Sequence, residues 1–299
     1  MAGITRILKK LFRTGGKRYA FVFICQEGEL EIKALLLAAS LKRFLRCDYE
    51  LVAALPAPEE TWGRPGAATL ALLARMGVRT VPVVNEIDPP YPLANKIACL
   101  KIRSDAAKLV FIDSDILCMR EFRDEPRFAA DLNAKPADLQ TFTSSEDVWR
   151  VAYNAAGVPM PSERVASTFS GEPGPPYFNS GFIALNNGIP LSDAWVECTR
   201  IMNRIETLPR QERWDDQPSL PVAIHKLKLR YDLLDEQYNF PAHLRRLDAN
   251  QPPPFFCHYH YPHVIEREPQ LIKLTGELVA AHPEIGALMR NHEGWRALA

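Results

Sequence analysis

The sequence predicts an α/β domain with a doubly wound sheet, and two observations support that prediction. Between residues 19 and 119, apolar runs of strand length alternate with runs of helical periodicity, a pattern typical of parallel strands joined by helices. An unbroken apolar run at 109–112 then stops at Asp113, Ser114 and Asp115. Such a run fits a strand buried on both faces, whose carboxyl end opens on a ligand site.

The elements of the first half follow in a regular order. The predicted strands are 19–26, 49–56, 78–84 and 109–112, and the predicted helices are 30–44, 67–76 and 93–104. No GxGxxG follows the first strand and no GxxxxGK[ST] loop occurs. The common fingerprints for dinucleotide and phosphate binding are therefore absent.

The second half is less regular. Residues 141–176 are rich in Ser, Thr, Pro and Gly, and an irregular stretch of that length is usually functional or mobile. Further strands are predicted at 177–186, 229–234 and 255–262, with helices at 191–206 and 214–227 and a helical tail from residue 266.

Residues 1–18 are predicted to form a basic amphipathic helix. Apolar side chains recur there at helical spacing, and no acidic residue interrupts the lysines and arginines. Such a helix would bind an anionic membrane surface, which would place the protein peripherally at the inner membrane. The alternatives are an ordinary helix docked on the domain, or a frayed terminus.

The composition is that of an ordinary globular protein. Of 299 residues, 47% are hydrophobic and 24% are charged, and 36 Lys and Arg balance 36 Asp and Glu. This balance gives no net field that would attract nucleic acid, so no nucleic-acid partner is expected. The 6 cysteines are scattered singly, as is typical of reduced thiols in a cytoplasmic protein.

The acidic triplet is the first candidate for chemistry. Two carboxylates at a strand end, with no cation beside them in sequence, repel each other, and a divalent cation relieves that repulsion most simply. An Asp-x-Asp also arises by chance in a chain of this size. The prediction of a cation site therefore depends on the position of the acidic triplet at the end of a buried strand.

Five short motifs, taken in order, resemble the GT-A class of nucleotide-sugar glycosyltransferases, and most closely glycosyltransferase family 8 and its bacterial relatives. The motifs are DSD at 113–115, FNSG at 178–181, DQ at 216–217, YN at 238–239 and HYH at 258–260. Each is weak alone, and their order carries the resemblance. It implies a GT-A fold for residues 19–265, an α/β domain with a mixed central sheet flanked by helices, followed by a helical tail at 266–299.

The resemblance also implies roles for individual residues. The metal ligands would be Asp113, Asp115 and His258. The transferred sugar would be bound by Asn179, Asp216 and Gln217, as the catalytic set. The nucleotide and its phosphates would be bound by Cys25, Gln26, Glu27, Asn95, Lys96, Asp113, Ser114 and Gly181. His260 is left open as an alternative metal ligand to His258. The lysine that family members carry shortly after this histidine is not found, because residues 261–263 are Tyr, Pro and His.

Each of these residues has a structural alternative. The FNSG segment can be a turn, Asp216 can belong to the first turn of a helix, and Lys96 can be a solvated lysine. One of the two histidines can be a satisfied structural residue.

The implied reaction is transfer of a hexose from a nucleotide sugar to an acceptor, with retention of configuration. A uridine diphosphate sugar is the expected donor, and the acceptor is a glycan, a lipid-linked sugar or a small molecule. An imidazole beside two carboxylates favours Mn²⁺ over Mg²⁺. The cation would neutralise the charge that builds on the leaving diphosphate.

Three alternatives remain on sequence grounds. A nucleotidyltransferase would want a glycine-rich basic loop after the first strand, and residues 25–28 are neither. The second alternative is a catalytically inactive protein of the same fold that binds nucleotide sugars. The third is an assembly component that docks through residues 1–18.

Overall fold

A computed structural model describes residues 18–87, 90–123, 128–209 and 216–299. Apart from Arg18, the predicted basic helix at 1–18 lies outside these residues, and it stays a prediction. The strands are β1 (Tyr19–Ile24), β2 (Tyr49–Ala57), β3 (Val78–Val84), β4 (Lys108–Ile112), β5 (Ile116–Cys118), β6 (Leu132–Pro136), β7 (Val165–Ala166), β8 (Pro173–Gly174), β9 (Phe178–Asn186), β10 (Tyr231–Leu233), β11 (Phe240–Pro241) and β12 (Phe256–His258).

Helices cover the faces of the sheet and form the end of the chain. They are α1 (Glu29–Phe44), α2 (Glu59–Trp62), α3 (Ala67–Arg75), α4 (Asn95–Cys99), α5 (Glu146–Ala155), α6 (Leu191–Met202), α7 (Asp216–Lys226), α8 (Pro262–Arg267), α9 (Pro269–Ala281) and α10 (Pro283–Arg290). Short 3₁₀ turns lie at Pro92–Ala94, Glu236–Tyr238 and Glu293–Leu298. In the described parts of the chain, no helix combines the length and the apolar character needed to cross a membrane.

A 7-stranded mixed sheet forms the centre, in the order β10-β6-β9-β4-β1-β2-β3. Strands β1 to β4 are parallel where they pair, whereas β9 runs antiparallel to both β4 and β6. The predicted α/β fold with a mixed central sheet flanked by helices is confirmed.

Side chains of the central strands alternate between two cores. Phe21 and Phe23 of β1 pack on the side of α1 and the C-terminal helices, whereas Val22 and Ile24 pack on the side of α4 to α7. Residues 109–112 of β4 are at most 2% exposed, since β4 lies between β1 and β9 and both its faces are covered. This burial explains the unbroken apolar run.

Two predicted elements of the chain differ in the structure. The helix expected at 93–104 ends at Cys99, because the amides of residues 100–102 donate to carbonyls three residues back and tighten the last turn. The stretch 141–176, expected to be irregular, contains α5. Ser145 caps that helix by accepting from the Val148 amide at 3.4 Å.

The tail begins earlier than expected, at Pro262, and its helices lie against α1 and α3. Arg43 pairs with Glu277 and Arg75 pairs with Glu284. These pairs are exposed and contribute little, whereas Trp295 is fully buried, with its ring edge-on to Tyr259 at 6.2 Å. The tail therefore helps to hold the segment that leads out of β12.

Candidate active site

The strand directions bring the sequence motifs to one edge of the sheet. Because β9 runs antiparallel to β4, its first residues lie beside the end of β4, and the Asp113 amide donates to the Gly181 carbonyl at 2.8 Å. Strand β12 pairs antiparallel with β5, and the Tyr259 amide donates to the Asp115 carbonyl at 3.1 Å. His258 thereby reaches the acidic triplet.

A cavity of about 240 Å³ opens at this edge. Its lining consists of Ile24, Leu30, Lys33, Pro92, Leu93, Lys96, Asp113, Ser114, Asp115, Asn179, Ser180, Gln217, His258, His260 and Tyr261. A larger groove of about 1060 Å³ lies at the opposite edge, around Glu50 and Arg79, which pair with each other. We assign the site to the smaller cavity, because carboxylates, imidazoles and amides converge there.

A cluster of Asp115, His258 and His260 fits a divalent cation. One ligand atom from each lies within 4.8 Å of the others, and Nε2 of His258 lies 2.9 Å from Oδ1 of Asp115. Nε2 of His260 is buried and has no hydrogen-bond partner in the described part of the chain. Leaving such a nitrogen unsatisfied is costly, and a cation bound by mixed oxygen and imidazole ligands would satisfy it.

The charges around Asp115 keep it ionised. Burial raises the pKa of the Asp115 carboxyl, but His258, Lys33 and His260 outweigh that effect and hold the pKa well below its usual range. Burial and the proximity of His258 hold the pKa of His260 well below its ordinary value. A carboxylate and a neutral imidazole are the forms that bind a metal.

The two carboxylates of the triplet have cations beside them, contrary to what the sequence suggested. Nζ of Lys96 on α4 lies 3.2 Å from Oδ2 of Asp113, and Nζ of Lys33 on α1 lies 3.5 Å from Oδ2 of Asp115. Helices distant in sequence supply both charges. Asp113 is thus grouped with Lys96 rather than with the histidines, and its part in metal binding stays a prediction.

Lys96 is a buried residue of the site, so the solvated alternative is wrong. It is 5% exposed, and its ammonium donates to Asp113 and to Oγ of Ser180, both at 3.2 Å. Oδ2 of Asp216 lies 4.0 Å away. Burial lowers the pKa of Lys96, but Asp113 and Asp216 together hold it above its ordinary value.

The DQ pair divides between two positions. Asp216 is 1% exposed and lies behind Ser180, whose hydroxyl is 3.5 Å from Oδ2 of Asp216. Gln217, the next residue, lines the cavity. This placement favours Gln217 as the side chain that faces a sugar.

A chain of hydrogen bonds runs from Asp138 to His258. Asn179 Nδ2 donates to Asp138 at 3.1 Å, Asn239 Nδ2 donates to Asn179 Oδ1 at 2.9 Å, and His258 Nδ1 lies 3.0 Å from Asn239 Oδ1. The backbone amide of Gly181 also donates to Asn179 Oδ1, at 2.9 Å. A backbone amide can only donate, so this contact fixes the orientation of both side-chain amides.

The same chain sets the hydrogen positions of the His258 ring. Asn239 presents its oxygen to His258, so Nδ1 must carry the hydrogen and donate. Nε2 faces Oδ1 of Asp115 at 2.9 Å. Because a carboxylate oxygen can only accept, this contact needs a hydrogen on Nε2, which a bound cation would replace. Fixing a ligating histidine by a hydrogen bond to its other nitrogen is the usual way of orienting such a ligand.

Gly181 leaves the space that these side chains occupy. A Cβ atom there would lie 2.9 Å from Oδ2 of Asp113, 3.0 Å from Cε1 of His258 and 3.1 Å from Oδ1 of Asn179. The absence of a side chain at Gly181 therefore makes room for Asp113, His258 and Asn179. The predicted contact of Gly181 with the nucleotide or its phosphates stays a prediction.

The residues predicted to flank a nucleoside base lie at the end of β1. The Cys25 side chain is fully buried, and burial raises the pKa of its thiol; it is not among the side chains that line the cavity, and its place beside a base stays a prediction. Gln26 accepts from Asn95 Nδ2 at 3.3 Å. Glu27 accepts from the Arg64 amide at 3.3 Å. Contacts of Gln26 and Glu27 with a base stay predictions.

Two further predicted residues hold the site together. Asn95 is 1% exposed and accepts from Asn85 Nδ2 at 2.9 Å. Ser114 donates from Oγ to the Ile24 carbonyl at 2.5 Å and ties the acidic turn to the end of β1.

Sequence reasoning missed Lys33 and Asp138 as site residues. The sequence contained an indication for Lys33, since this lysine lies in the apolar stripe of α1 that contains Leu30 and Leu37. A lysine at such a position is unusual unless a partner is buried with it. Asp138 had none, because its link to the site is made through Asn179, which is distant in sequence.

The chain is similar to proteins already known. Residues 21–228 match the family described as the Rhodobacterales glycosyltransferase domain. No curated protein sequence matches the chain.

Solved structures show the same fold. The galactosyltransferase LgtC, in complex with donor and acceptor sugar analogues, aligns with a TM-score of 0.54 and 16% identity over 94% of this chain and 100% of LgtC. An active-site mutant of LgtC, with glutamate in place of a glutamine, aligns with a TM-score of 0.53 and 15% identity over 88% of this chain and 95% of the mutant. The fold of this chain is therefore the GT-A fold.

Proposed function

We propose, because the chain belongs to the Rhodobacterales glycosyltransferase domain family, that it transfers a hexose from a nucleotide sugar to an acceptor with the help of a divalent cation. The family match establishes a glycosyltransferase. We infer further that the donor is a uridine diphosphate sugar, that the cation is Mn²⁺ or Mg²⁺, and that configuration is retained. The acceptor would be a glycan, a lipid-linked sugar or a small molecule.

The observation that carries the proposal is the cluster of Asp115, His258 and His260 on a cavity that Gln217 and Asn179 also line. A cation held there would supply positive charge to the leaving diphosphate as its bond to the sugar breaks. The carboxylate and the two imidazoles would hold the cation on the same cavity as the two amides.

Residues of the cavity would bind and orient the sugar. Gln217 offers both a donor and an acceptor to sugar hydroxyls, and Asn179 keeps one N–H beyond its bond to Asp138. Asp113, held by Lys96, offers a carboxylate to the donor. Asp216 is buried behind Ser180, so its role would be to hold Lys96 and Ser180 in place.

The surroundings of the carboxylates support retention. An inverting enzyme needs a carboxylate or imidazole that is open to take the acceptor's proton. Among the described residues that line the cavity, the carboxylates are Asp113 and Asp115. The first is paired with Lys96 and the second faces His258 and Lys33. We infer that the leaving phosphate takes that proton, while the Gln217 amide oxygen faces the positive charge on the sugar.

Turnover tests this proposal. The protein is incubated with uridine diphosphate sugars, with Mn²⁺ or with chelator, and released uridine diphosphate is measured. We expect slow donor hydrolysis that needs the metal, falls by about 100-fold or more in Asp115→Asn, and is unchanged in Asp147→Asn, an exposed carboxylate on α5. Metal-dependent binding without any turnover, also in the presence of acceptor mixtures, would instead favour an inactive nucleotide-sugar-binding protein.

A further inference from the structure

We propose that Lys33 is the cation that holds the diphosphate of the donor in this chain. The inference rests on the proposed function and names a residue of that site which no sequence motif indicates. Lys33 lies on α1, distant in sequence from the acidic triplet and from the histidines.

The position of Lys33 is set by the packing of α1. Its side chain extends from the apolar stripe of the helix and is 14% exposed. The ammonium donates to the His260 carbonyl at 2.8 Å and lies 3.5 Å from Oδ2 of Asp115. It therefore reaches the cavity at the edge of the candidate metal cluster.

Lys33 has fewer close partners within the protein than Lys96. These two are the lysines among the described residues that line the cavity. Lys96 is enclosed by Asp113, Ser180 and Asp216, with all three within 4.0 Å of its nitrogen. An ammonium has three donors, and Lys33 uses one on a carbonyl and another, at a long distance, on Asp115. A third remains for a ligand in the cavity.

Asp115 links this ammonium to the cluster. One carboxylate oxygen faces His258 and the other faces Lys33. Ligand oxygens lie about 2.0 to 2.6 Å from Mg²⁺ or Ca²⁺, so a diphosphate bound to a similar cation at this cluster would bring anionic oxygens close to the Lys33 nitrogen. Charge-assisted hydrogen bonds between an ammonium and phosphate are among the stronger contacts in proteins.

The backbone around His260 supports the assignment. His260 has φ 57, a left-handed conformation that is uncommon outside glycine and concentrates at functional sites. This turn ends β12, stacks the His260 ring on His258 at 3.7 Å, and directs the His260 carbonyl to Lys33. The following residues, 261–265, contain no lysine or arginine, so Lys33 supplies the charge from the neighbouring helix.

A diphosphate-binding role predicts effects of opposite sign on two ligands. Removing the charge of Lys33 weakens the binding of a diphosphate, because an attractive cation is lost. The same change strengthens or leaves unaltered the binding of a metal ion alone, because a repulsive cation beside Asp115 is lost. If Lys33 had only a structural role, its substitution would weaken the binding of the diphosphate and of the metal ion together.

The test uses the full chain and Lys33→Gln, which keeps a donor for the His260 carbonyl and removes the charge. Mn²⁺ alone, uridine monophosphate with Mn²⁺, and uridine diphosphate with Mn²⁺ are titrated by calorimetry. Guanosine diphosphate replaces the uridine nucleotide if the unsubstituted chain prefers it. Lys42→Gln, an exposed lysine of the same helix, is the matched control, and Lys33→Arg tests restoration by charge.

We expect Lys33→Gln to lower the affinity for uridine diphosphate by about 10- to 100-fold and the affinity for the monophosphate by less. The variant should bind Mn²⁺ at least as tightly as the unsubstituted chain. Lys33→Arg should recover most of the loss. Unchanged diphosphate affinity in Lys33→Gln, or an equal loss for Mn²⁺ and both nucleotides, would overturn the assignment and leave the proposed function standing. If the unsubstituted chain binds no nucleoside diphosphate, the proposed function fails and the assignment with it.

Discussion

At the scale of single residues, the site depends on the missing side chain of Gly181 as much as on the side chains present. A methyl group there would press on Asp113, His258 and Asn179 at distances of 2.9, 3.0 and 3.1 Å. None of these side chains can move without breaking a hydrogen bond or an ion pair. The glycine therefore sets the relative positions of the donor-binding and metal-binding groups.

Gly181→Ala should lower metal-dependent nucleotide affinity by about 10-fold or more and destabilise the fold by about 1 to 3 kcal/mol, because the site is overpacked. The matched control is Gly276→Ala in α9, where an added Cβ meets no atom within 4 Å. That control should stabilise the fold by about 0.5 to 1 kcal/mol. Calorimetry and chemical unfolding measure both effects, and equal behaviour of the two variants would show that the close approach at Gly181 is unimportant.

Residue types at strand ends revealed part of the site from sequence. The sequence pointed to Asp115 because the acidic triplet follows a buried strand, and to His258 because the order of five weak motifs resembles the GT-A class. It did not point to Lys33 and Asp138, since they meet the motifs only through the packing of α1 and the return of the chain after β6. Periodicity indicates which face of a helix is buried, but it does not say which buried partner a lysine meets.

At the scale of elements, the connection between β9 and β12 orients the candidate metal ligand. Asn179 at the start of β9 and Asn239 before β11 form the hydrogen-bonded bridge that ends on His258. Asn239 is 1% exposed, so the bridge lies in the interior of the protein. The bridge couples two segments that do not pair as strands at this point.

Asn239→Leu should lower Mn²⁺ affinity by about 10- to 100-fold, since the orienting partner of His258 is lost while the ligands stay. Asn239→Asp keeps an acceptor for His258, so its Mn²⁺ affinity should fall by less. Asn154→Leu, on an exposed position of α5, is the control. Mn²⁺ affinity measured by competition with a metal indicator checks the prediction, and an affinity in Asn239→Leu equal to that of the control would contradict it.

Elements differ in how far the sequence predicts them. The bounds of β3 were predicted correctly because Val78–Val84 is a β-branched run that follows a glycine. Helix α5 was missed although Ser145, Glu146 and Asp147 form a usual helix start. Its surroundings, rich in proline and glycine, outweighed that signal.

At the scale of the whole molecule, buried histidines make stability depend on pH. Burial, with His258 nearby, lowers the pKa of His243 to about 4, and burial acts in the same direction on His260. Because an unfolded histidine has a pKa of about 6.5, the unfolded chain binds more protons between about pH 4 and 6.5. Stability is therefore present above this window and falls as the pH drops through it.

In chelator, the free energy of unfolding should fall between pH 7.5 and 5.0, with His243 contributing on the order of 1 kcal/mol after allowance for its partial exposure. His243→Gln should reduce the slope. Denaturant titrations at several pH values measure this. An identical slope in His243→Gln would contradict the role of that imidazole.

The overall architecture was predictable in its parallel half and less so beyond it. Alternating strands and helices indicated β1 to β4 directly. A mixed sheet was expected only through the family resemblance, and the antiparallel insertion of β9 beside β4 was not predicted, because strand pairing across the sheet is a long-range property that local pattern does not encode. That insertion delivers Asn179 and Gly181 to Asp113, so the site follows from the least predictable part of the sheet.

The central claim is that the carboxyl edge of this sheet binds a nucleoside diphosphate through a cation held by Asp115. The most direct measurement is calorimetric titration of uridine diphosphate, with Mn²⁺ and with chelator, into the unsubstituted chain, Asp115→Asn and Asp147→Asn. We predict binding that requires Mn²⁺, is lost in Asp115→Asn and is unchanged in Asp147→Asn. Failure to bind uridine or guanosine diphosphate under any metal condition, or binding that is indifferent to chelator and to Asp115, would contradict the claim.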